Sequence, residues 1–133
     1  RCDPRPRSKH DLSMYLDGEW YSLIYNGQNV DPNDPVADLD AQILTDEVLR
    51  PLLGIADLRS DDRVQFLDGR KGMIGLEASV DSGGYAVAFA LHPVSMEQLK
   101  RISDAGRTMP PKSTYIEPKL RSGLTVYPIE GKK

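Results

Sequence analysis

A chain of 133 residues is long enough for one domain that buries a hydrophobic core without disulfides or metal ions. Its formal charge of −3 and pI of about 5.3 disfavour general binding to DNA or RNA, which depends on a basic surface. The longest apolar run, from Ala86 to Leu91, is far too short to span a bilayer, so we do not expect an integral membrane protein.

The first eleven residues read RCDPRPRSKHD and form a polar leader without an initiator methionine or an apolar signal core. We interpret residues 1–11 as a disordered leader where a fragment begins. Residues 12–133 are then a single domain that forms the C-terminal part of a longer protein. Cys2 is the only cysteine, so the chain cannot form an internal disulfide, which points to a reducing, cytoplasmic location.

A β-hairpin is predicted directly after the leader. Aromatic and β-branched residues predict strands near 12 to 16 and 19 to 25, and Asp17-Gly18 between them is a strong turn signal. Residues 26–35 are rich in Asn, Asp, Gly and Pro and are predicted to form a loop.

Helical periodicity starts at position 36. Asp34 or Asp38 is a candidate N-cap, and Pro51 is expected to end or kink the helix before Gly54. The apolar residues predicted to share one face of this helix are Leu39, Ile43, Val48 and Leu52.

The middle of the chain predicts a strand, a helix and a second strand. Residues 63–67 alternate like a strand, and residues 71–80 have a helical pattern weakened by Gly72 and Gly75. Residues 85–91 are nearly all apolar and lie between glycines and a proline. This pattern is typical of a strand buried on both faces, so we predict that 85–91 is the central strand.

A capping box formed by Ser95 and Gln98 predicts another helix, which Gly106 should end. A final strand is predicted at 124–129. The order ββαβαβαβ indicates an α+β or α/β fold, in which about three helices pack on a single sheet with an N-terminal hairpin. The residues of the capped helix that we expect to face inward are Met96, Leu99 and Ile102.

The stretch from Met109 to Leu124, MPPKSTYIEPKLRSGL, is the strongest candidate for a binding loop. Residues 107–123 contain four cations and one acid, a local charge of +3 within a negatively charged chain. Lysine, arginine and hydroxyl groups suit a phosphate or carboxylate, and prolines reduce the entropy lost when a loop is ordered. Alternatively, the prolines only stiffen a connection with solvated or paired cations. Composition alone favours this second interpretation.

Other chemistry finds less support in the sequence. Lys112-Ser113-Thr114 resembles the end of a P-loop, but the required upstream glycines are missing. His10 and His92 lack partners at metal-ligand spacing, so no metal site is expected, and His92 is interpreted as capping the end of a strand. No catalytic nucleophile can be identified. The aspartates interpreted as turn and cap residues are Asp31, Asp34, Asp38 and Asp40.

Three stretches carry a family resemblance: residues 87–99 (VAFALHPVSMEQL), 104–106 (DAG) and 109–124. They resemble the C-terminal part of a bacterial and archaeal family catalogued as domain of unknown function number 1015. Full-length members of that family are similar to ParB and sulfiredoxin-like nucleotide-binding proteins, some of which are kinases acting on free serine. The resemblance extends over nearly all residues after the leader, and 109–124 is its most specific part.

The resemblance implies that this chain completes or covers a nucleotide site built by residues upstream of it. The family's upstream Asp-Gly-His-His-Arg motif is missing here, so the chain itself should hold no cofactor, although a nucleotide fits the full-length protein. Ile116 also stands where the family often has an aromatic residue. The residues implied as an anion-binding set are Lys112, Ser113, Thr114, Lys119 and Arg121.

Two hypotheses therefore stay open. In the first, the chain is part of an enzyme, a small-molecule kinase being the function that the resemblance implies, and it contributes an anion-binding loop but has no turnover alone. In the second, it is a structural or interaction module that packs on the missing N-terminal part of its own chain. The second hypothesis predicts an exposed apolar contact surface formed by Met109, Pro110, Tyr115 and Ile116.

Overall fold

A computed structural model describes residues 4–28, 30–31 and 33–114. The predicted hairpin is confirmed: strand β1 spans Asp11–Leu16 and strand β2 spans Glu19–Ile24, paired antiparallel. Asp17 and Gly18 have φ angles of 51° and 81°. Two successive residues with positive φ match the right-handed twist of a hairpin, which explains why Asp-Gly stands at the turn.

Strand β3, Val87–Ala90, pairs antiparallel with the other edge of β1, so that Met14 lies between Tyr21 and Phe89. Within the described residues, the sheet therefore has three antiparallel strands in the order β2-β1-β3. With its helices this is an α+β fold, the first of the two predicted classes. Within the described residues, 85–91 does not hold the central position predicted for it, because β1 lies between β2 and β3 and only Ala88 of β3 is buried.

The predicted helix after position 36 is present but begins later, at Asp40. It consists of helix α1 (Asp40–Leu44), a π-helical turn (Thr45–Leu49) and helix α2 (Arg50–Leu53). Gly54 ends it with a φ angle of 65°, a left-handed conformation that glycine adopts without strain.

Neither predicted N-cap performs that role. The residue before α1 is Leu39, whose side chain is buried and apolar. The carboxylate of Asp34 instead accepts from the Val36 amide at 2.9 Å, which closes a turn before the helix. The carboxylate of Asp38 bonds to residues from the start of the chain. Both aspartates stabilise the approach to the helix rather than its first turn.

The distortion predicted at Pro51 takes the form of the wide π-helical turn directly before it. Proline has no amide hydrogen, and in a regular α-helix its ring collides with the carbonyl four residues earlier, here that of Glu47. A π-helical turn widens the backbone at this point. The Thr45 hydroxyl contributes by donating to the carbonyl of Ala41 at 2.7 Å.

The predicted strand at 63–67 is wrong, since the described structure contains no strand there. The Arg63 guanidinium is bonded to the Asp61 carboxylate at 2.6 Å and to the carbonyls of Leu53 and Gly54. These bonds hold the segment against the end of α2. Alternation predicted a strand because Val64 packs on the core, but irregular backbone can present alternate side chains equally well.

The two later helices are confirmed. A 3₁₀ turn (Gly69–Lys71) precedes helix α3 (Gly72–Asp81), and helix α4 spans Met96–Asp104. The Ser95–Gln98 capping box is present, with the Gln98 amide donating to the Ser95 hydroxyl at 3.2 Å and the Ser95 amide donating to the Gln98 side-chain oxygen at 2.9 Å. Gly106 follows with a φ angle of 64°.

The inward face predicted for α4 is correct at Ile102, which is 2% exposed, and wrong at Met96, which is 79% exposed. The two residues are six positions apart, which corresponds to about 240° around a helix with 3.6 residues per turn. Met96 therefore points away from the surface that Ile102 buries.

The core lies on both faces of the sheet. On one face, Leu12 of β1 joins a buried cluster with Leu44, Leu49 and Ile55, while Tyr15 points to the opposite face because side chains alternate along a strand. The Tyr15 hydroxyl donates to Asp81 of α3 at 2.9 Å. The residues packed around the first cluster are Leu23, Val48, Leu58, Val64, Phe89 and Leu91.

Two observations concern the ends of the described structure. Lys9, His10 and Asp11, at the end of the predicted leader, make hydrogen bonds to the folded part, whereas the predicted strand 124–129 lies outside the described residues.

Among the described helices, none combines the length and apolar character needed to cross a membrane.

Candidate functional site

Three of the five predicted anion-binding residues, Lys112, Ser113 and Thr114, lie at the end of the described chain. Lys112 and Thr114 are exposed, and Lys112 has a φ angle of 57°, which is uncommon for a residue other than glycine. The Ser113 hydroxyl donates to the carbonyl of Pro110 at 2.7 Å, so its hydrogen is already used within the loop. Lys119 and Arg121 lie outside the described residues.

One cation of the +3 segment is paired across the fold. The Arg107 guanidinium donates to the Asp34 carboxylate at 3.0 Å. The pKa of Asp34 is lowered from its ordinary value, first by the bond from the Val36 amide and also by the Arg107 charge. This pair anchors the segment after α4 to the turn before α1.

The start of the loop forms one wall of a groove of about 270 Å³. Residues 108–111 line this wall, and Thr45 and Arg50 from the distorted helical segment lie on another side. Asp57 and Arg59 complete the polar lining. The proline-rich loop and the helix carrying Arg50 are therefore brought together, although more than fifty residues separate them in the sequence.

This groove is called here the loop groove. Its charged side chains differ in how completely their hydrogen-bond and ion-pair partners neutralise them. Arg50 pairs with Asp46 at 2.6 Å. The Asp57 carboxylate accepts from the Arg59 amide at 2.9 Å and from the Ser60 hydroxyl at 3.0 Å, and these two bonds lower its pKa. The Arg59 guanidinium makes no hydrogen bond or close ion pair with the described residues, so it can interact with an anion.

A second polar cluster joins the start of the chain to the approach to α1. The His10 Nε2 atom lies 3.0 Å from Asp38 Oδ1, and the Lys9 ammonium bonds to the other oxygen of the same carboxylate. The His10 amide donates to Asp40 Oδ1 at 3.0 Å. Asp38 and Asp40, interpreted from sequence as turn or cap residues, instead hold the two residues that lead into β1.

Asp40 is a buried carboxylate, only 6% exposed. Burial raises its pKa, because a charged carboxylate loses its hydration. The bond from the His10 amide and the nearby His10, His92 and Lys9 partly oppose this effect. His92, predicted to cap a strand, follows β3 and acts electrostatically on both Asp40 and Asp11.

The position of His10 is fixed by several contacts. Its φ angle is 70°, its carbonyl accepts from the Tyr25 amide at 2.8 Å, and its ring meets the Tyr25 ring edge-on at a centroid distance of 5.8 Å. Sequence reasoning missed this cluster because Asp38 lies 28 residues away and no local spacing links the two. A histidine at an unusual φ offers no signal in the sequence.

The described residues contain no group of three or more His, Cys, Asp or Glu side chains that could hold a metal ion. No protein-family model, curated protein or solved structure matches this chain.

Proposed function

We propose that this chain is the C-terminal domain of a longer cytoplasmic protein and that its 109–124 loop binds an anionic group. The ligand is a nucleotide or a phosphorylated small molecule, held in a site that upstream residues complete. The observation that carries the proposal is the loop groove, which the start of the loop lines together with two arginines, Arg50 and Arg59.

The chemistry of the groove suits a phosphate. Arg59 has donors that no described residue uses, and Arg50 can offer the donors that its pairing with Asp46 leaves. A guanidinium group binds phosphate through two parallel hydrogen bonds, and Lys112 adds a point charge one residue beyond the groove wall. Asp57 opposes anion binding, but its carboxylate already accepts two hydrogen bonds.

Pyrophosphate is the probe for a direct test, because it has the charge of a nucleotide without the base. We expect pyrophosphate, added during an NMR titration, to shift amide signals of 108–114 and 57–59. Arg59→Gln and Lys112→Gln should each weaken binding about tenfold, equal to about 1.4 kcal/mol. Glutamine is preferred at position 112 because it tolerates the positive φ no worse than lysine does.

Lys100→Gln is the matched control, since Lys100 is an exposed lysine on α4 outside the groove lining. Unchanged affinity in both groove variants, or no shift with pyrophosphate, would remove the basis of the proposal. In a longer chain that includes the upstream residues, phosphoryl transfer or nucleotide hydrolysis should depend on Lys112, whereas this chain alone should show no turnover.

A second candidate function is an interaction domain that packs on the N-terminal part of a longer chain. It is favoured by Leu52, which is 73% exposed on the same helix as Arg50. Of the predicted contact surface, Met109 and Pro110 are half-buried in the groove wall, while Tyr115 and Ile116 lie outside the described residues. If the chain is an interaction domain, hydrogen exchange should show that α2 and 108–111 are better protected in the longer chain than in this one.

A further inference from the structure

A second cavity, of about 290 Å³, lies beside the polar cluster formed by Lys9, His10, Asp38 and Asp40, called here the His10 cluster. It is lined by His10, Gly27, Val30, Asp38 and Arg101, none of which lines the loop groove. The two candidate sites therefore share no lining residue. The cavity joins the residue before β1, the loop after β2 and helix α4, three segments that are distant in the sequence.

The negative charge in this cavity is already compensated. One oxygen of the Asp38 carboxylate bonds to the Lys9 ammonium, and the other lies 3.0 Å from His10 Nε2. Because a carboxylate only accepts hydrogen bonds, the Nε2 atom carries the hydrogen in this pair. A cationic ligand would have to displace Lys9 to reach Asp38, so the cavity does not favour one.

The hydrogen bond between His10 Nε2 and Asp38 also determines whether the other ring nitrogen, Nδ1, can accept a hydrogen bond. With the hydrogen on Nε2, the Nδ1 atom of a neutral His10 carries a lone pair, and no described residue donates to it. The ring is held in place by Asp38 and Tyr25, and the backbone by Asp40. These contacts offset the strain of about 1 kcal/mol or more that a positive φ costs at a residue other than glycine.

Arg101 supplies the remaining charge. It lies in the last turn of α4, and its guanidinium makes no hydrogen bond or ion pair with any residue in the described part of the chain. The residues that line the cavity therefore include one cation that no described residue pairs and one hydrogen-bond acceptor, Nδ1 of His10, on a ring that is held in place. A matching ligand needs an anionic group for the first and a hydrogen-bond donor for the second.

We propose that this cavity binds a small hydroxycarboxylate. The carboxylate bonds to the two-pronged guanidinium of Arg101, and the hydroxyl donates to Nδ1 of His10. Asp38 acts as a positioning residue, because it fixes the orientation and tautomer of the imidazole. The volume of the cavity, near the lower end for ligand sites, restricts it to small molecules.

Lactate and propionate are the decisive pair of probes, because they differ by one hydroxyl group. The chain has only two histidines, so its two imidazole Cε1–Hε1 signals can be assigned with a His92→Gln variant. At about pH 8, where an ordinary histidine is neutral, lactate should shift the His10 signal. It should bind at least about fivefold more tightly than propionate. Equal affinities, or a shift confined to His92, would overturn the proposal.

Substitutions test each contact separately. Arg101→Gln should weaken lactate binding about tenfold, whereas Lys100→Gln, the neighbouring exposed lysine, should leave it unchanged. His10→Asn keeps a residue type that tolerates positive φ and should reduce the preference for lactate over propionate to about one. If Arg101→Gln binds lactate as the original chain does, or if phosphate competes as strongly as lactate, the assignment of the cavity is wrong.

Discussion

The indole Nε1–H of Trp20 donates a hydrogen bond of 2.7 Å to Oε1 of Glu77, and this bond links β2 to α3. The Trp20 ring also packs against the Tyr15 ring, with a centroid distance of 5.0 Å. The Tyr15 hydroxyl donates to Asp81, which raises the pKa of Tyr15 because the bond favours the protonated phenol. Two aromatic side chains and two carboxylates therefore fix α3 on this face of the sheet.

Glu77→Ala should destabilise the fold by about 1 to 2 kcal/mol, since it leaves a partly buried indole N–H without its acceptor. Glu77→Gln retains an acceptor oxygen and should cost less. Trp20 is the only tryptophan in the chain, so its fluorescence reports on this contact. We expect a red shift of the emission in Glu77→Ala only. Identical emission and urea midpoints for both variants would contradict this role.

Ile102→Ala should reduce the free energy of unfolding by about 2 to 5 kcal/mol, because it removes a buried side chain and leaves a cavity. Met96→Ala on the same helix should change it by no more than about 0.5 kcal/mol, since Met96 is exposed. Chemical denaturation of the two variants compares them directly. A large loss of stability in Met96→Ala would show that α4 packs on the core with the face that carries Met96.

Ser95→Ala should cost about 1 kcal/mol, because the first turn of α4 loses its side-chain acceptor. Ser103→Ala is the control, since Ser103 lies near the other end of the same helix and is exposed. Amide hydrogen exchange should become faster at the first turn of α4 in the Ser95 variant alone. Equal exchange in the two variants would argue against the capping box.

Asp40 should make the free energy of unfolding fall as the pH rises. A paired carboxylate, whose pKa is lowered in the folded state, has the opposite effect. Its pKa is raised in the folded state by burial, so its contribution is fully present below the unfolded pKa and is lost as the pH rises through the folded pKa. Relative to the original chain, Asp40→Asn should therefore gain stability as the pH rises from about 4, the ordinary pKa of aspartate, through the higher pKa of Asp40 in the folded chain. The difference should then stay constant at higher pH.

Urea unfolding at several pH values measures this difference. Asp62→Asn, at an exposed loop position, is the control and should show no such gain with pH. A stability difference between Asp40→Asn and the original chain that stays constant over the acidic range would mean that the carboxyl group is hydrated in the folded protein.

Local signals predicted several elements correctly because the interactions that form them are themselves local. The hairpin depends on two adjacent residues that accept positive φ, and the capping box depends on two side chains three positions apart. The strand predicted at 63–67 failed for the opposite reason. Alternation reveals only which side chains face the core, whereas a strand also needs a neighbouring backbone, and Arg63 bonds to the end of α2 instead.

For the candidate sites, the sequence determined the charge of the loop and the types of side chain present. It predicted Lys112 as a ligand residue but not Arg50 and Arg59, which only folding brings into one groove with residues 108–111. The His10 cluster depends equally on tertiary structure, since its two aspartates follow the histidine by 28 and 30 residues.

The sequence alone therefore determined the hairpin, the capped helix and the presence of both helices and strands, since turn geometry and helix capping act over a few residues. Only the tertiary structure decided that β1 lies in the centre of the described sheet and that α3 covers one of its faces. It also decided that Asp38 and Asp40 bond to His10 rather than cap a helix. These outcomes depend on contacts between distant segments, which neither periodicity nor spacing records.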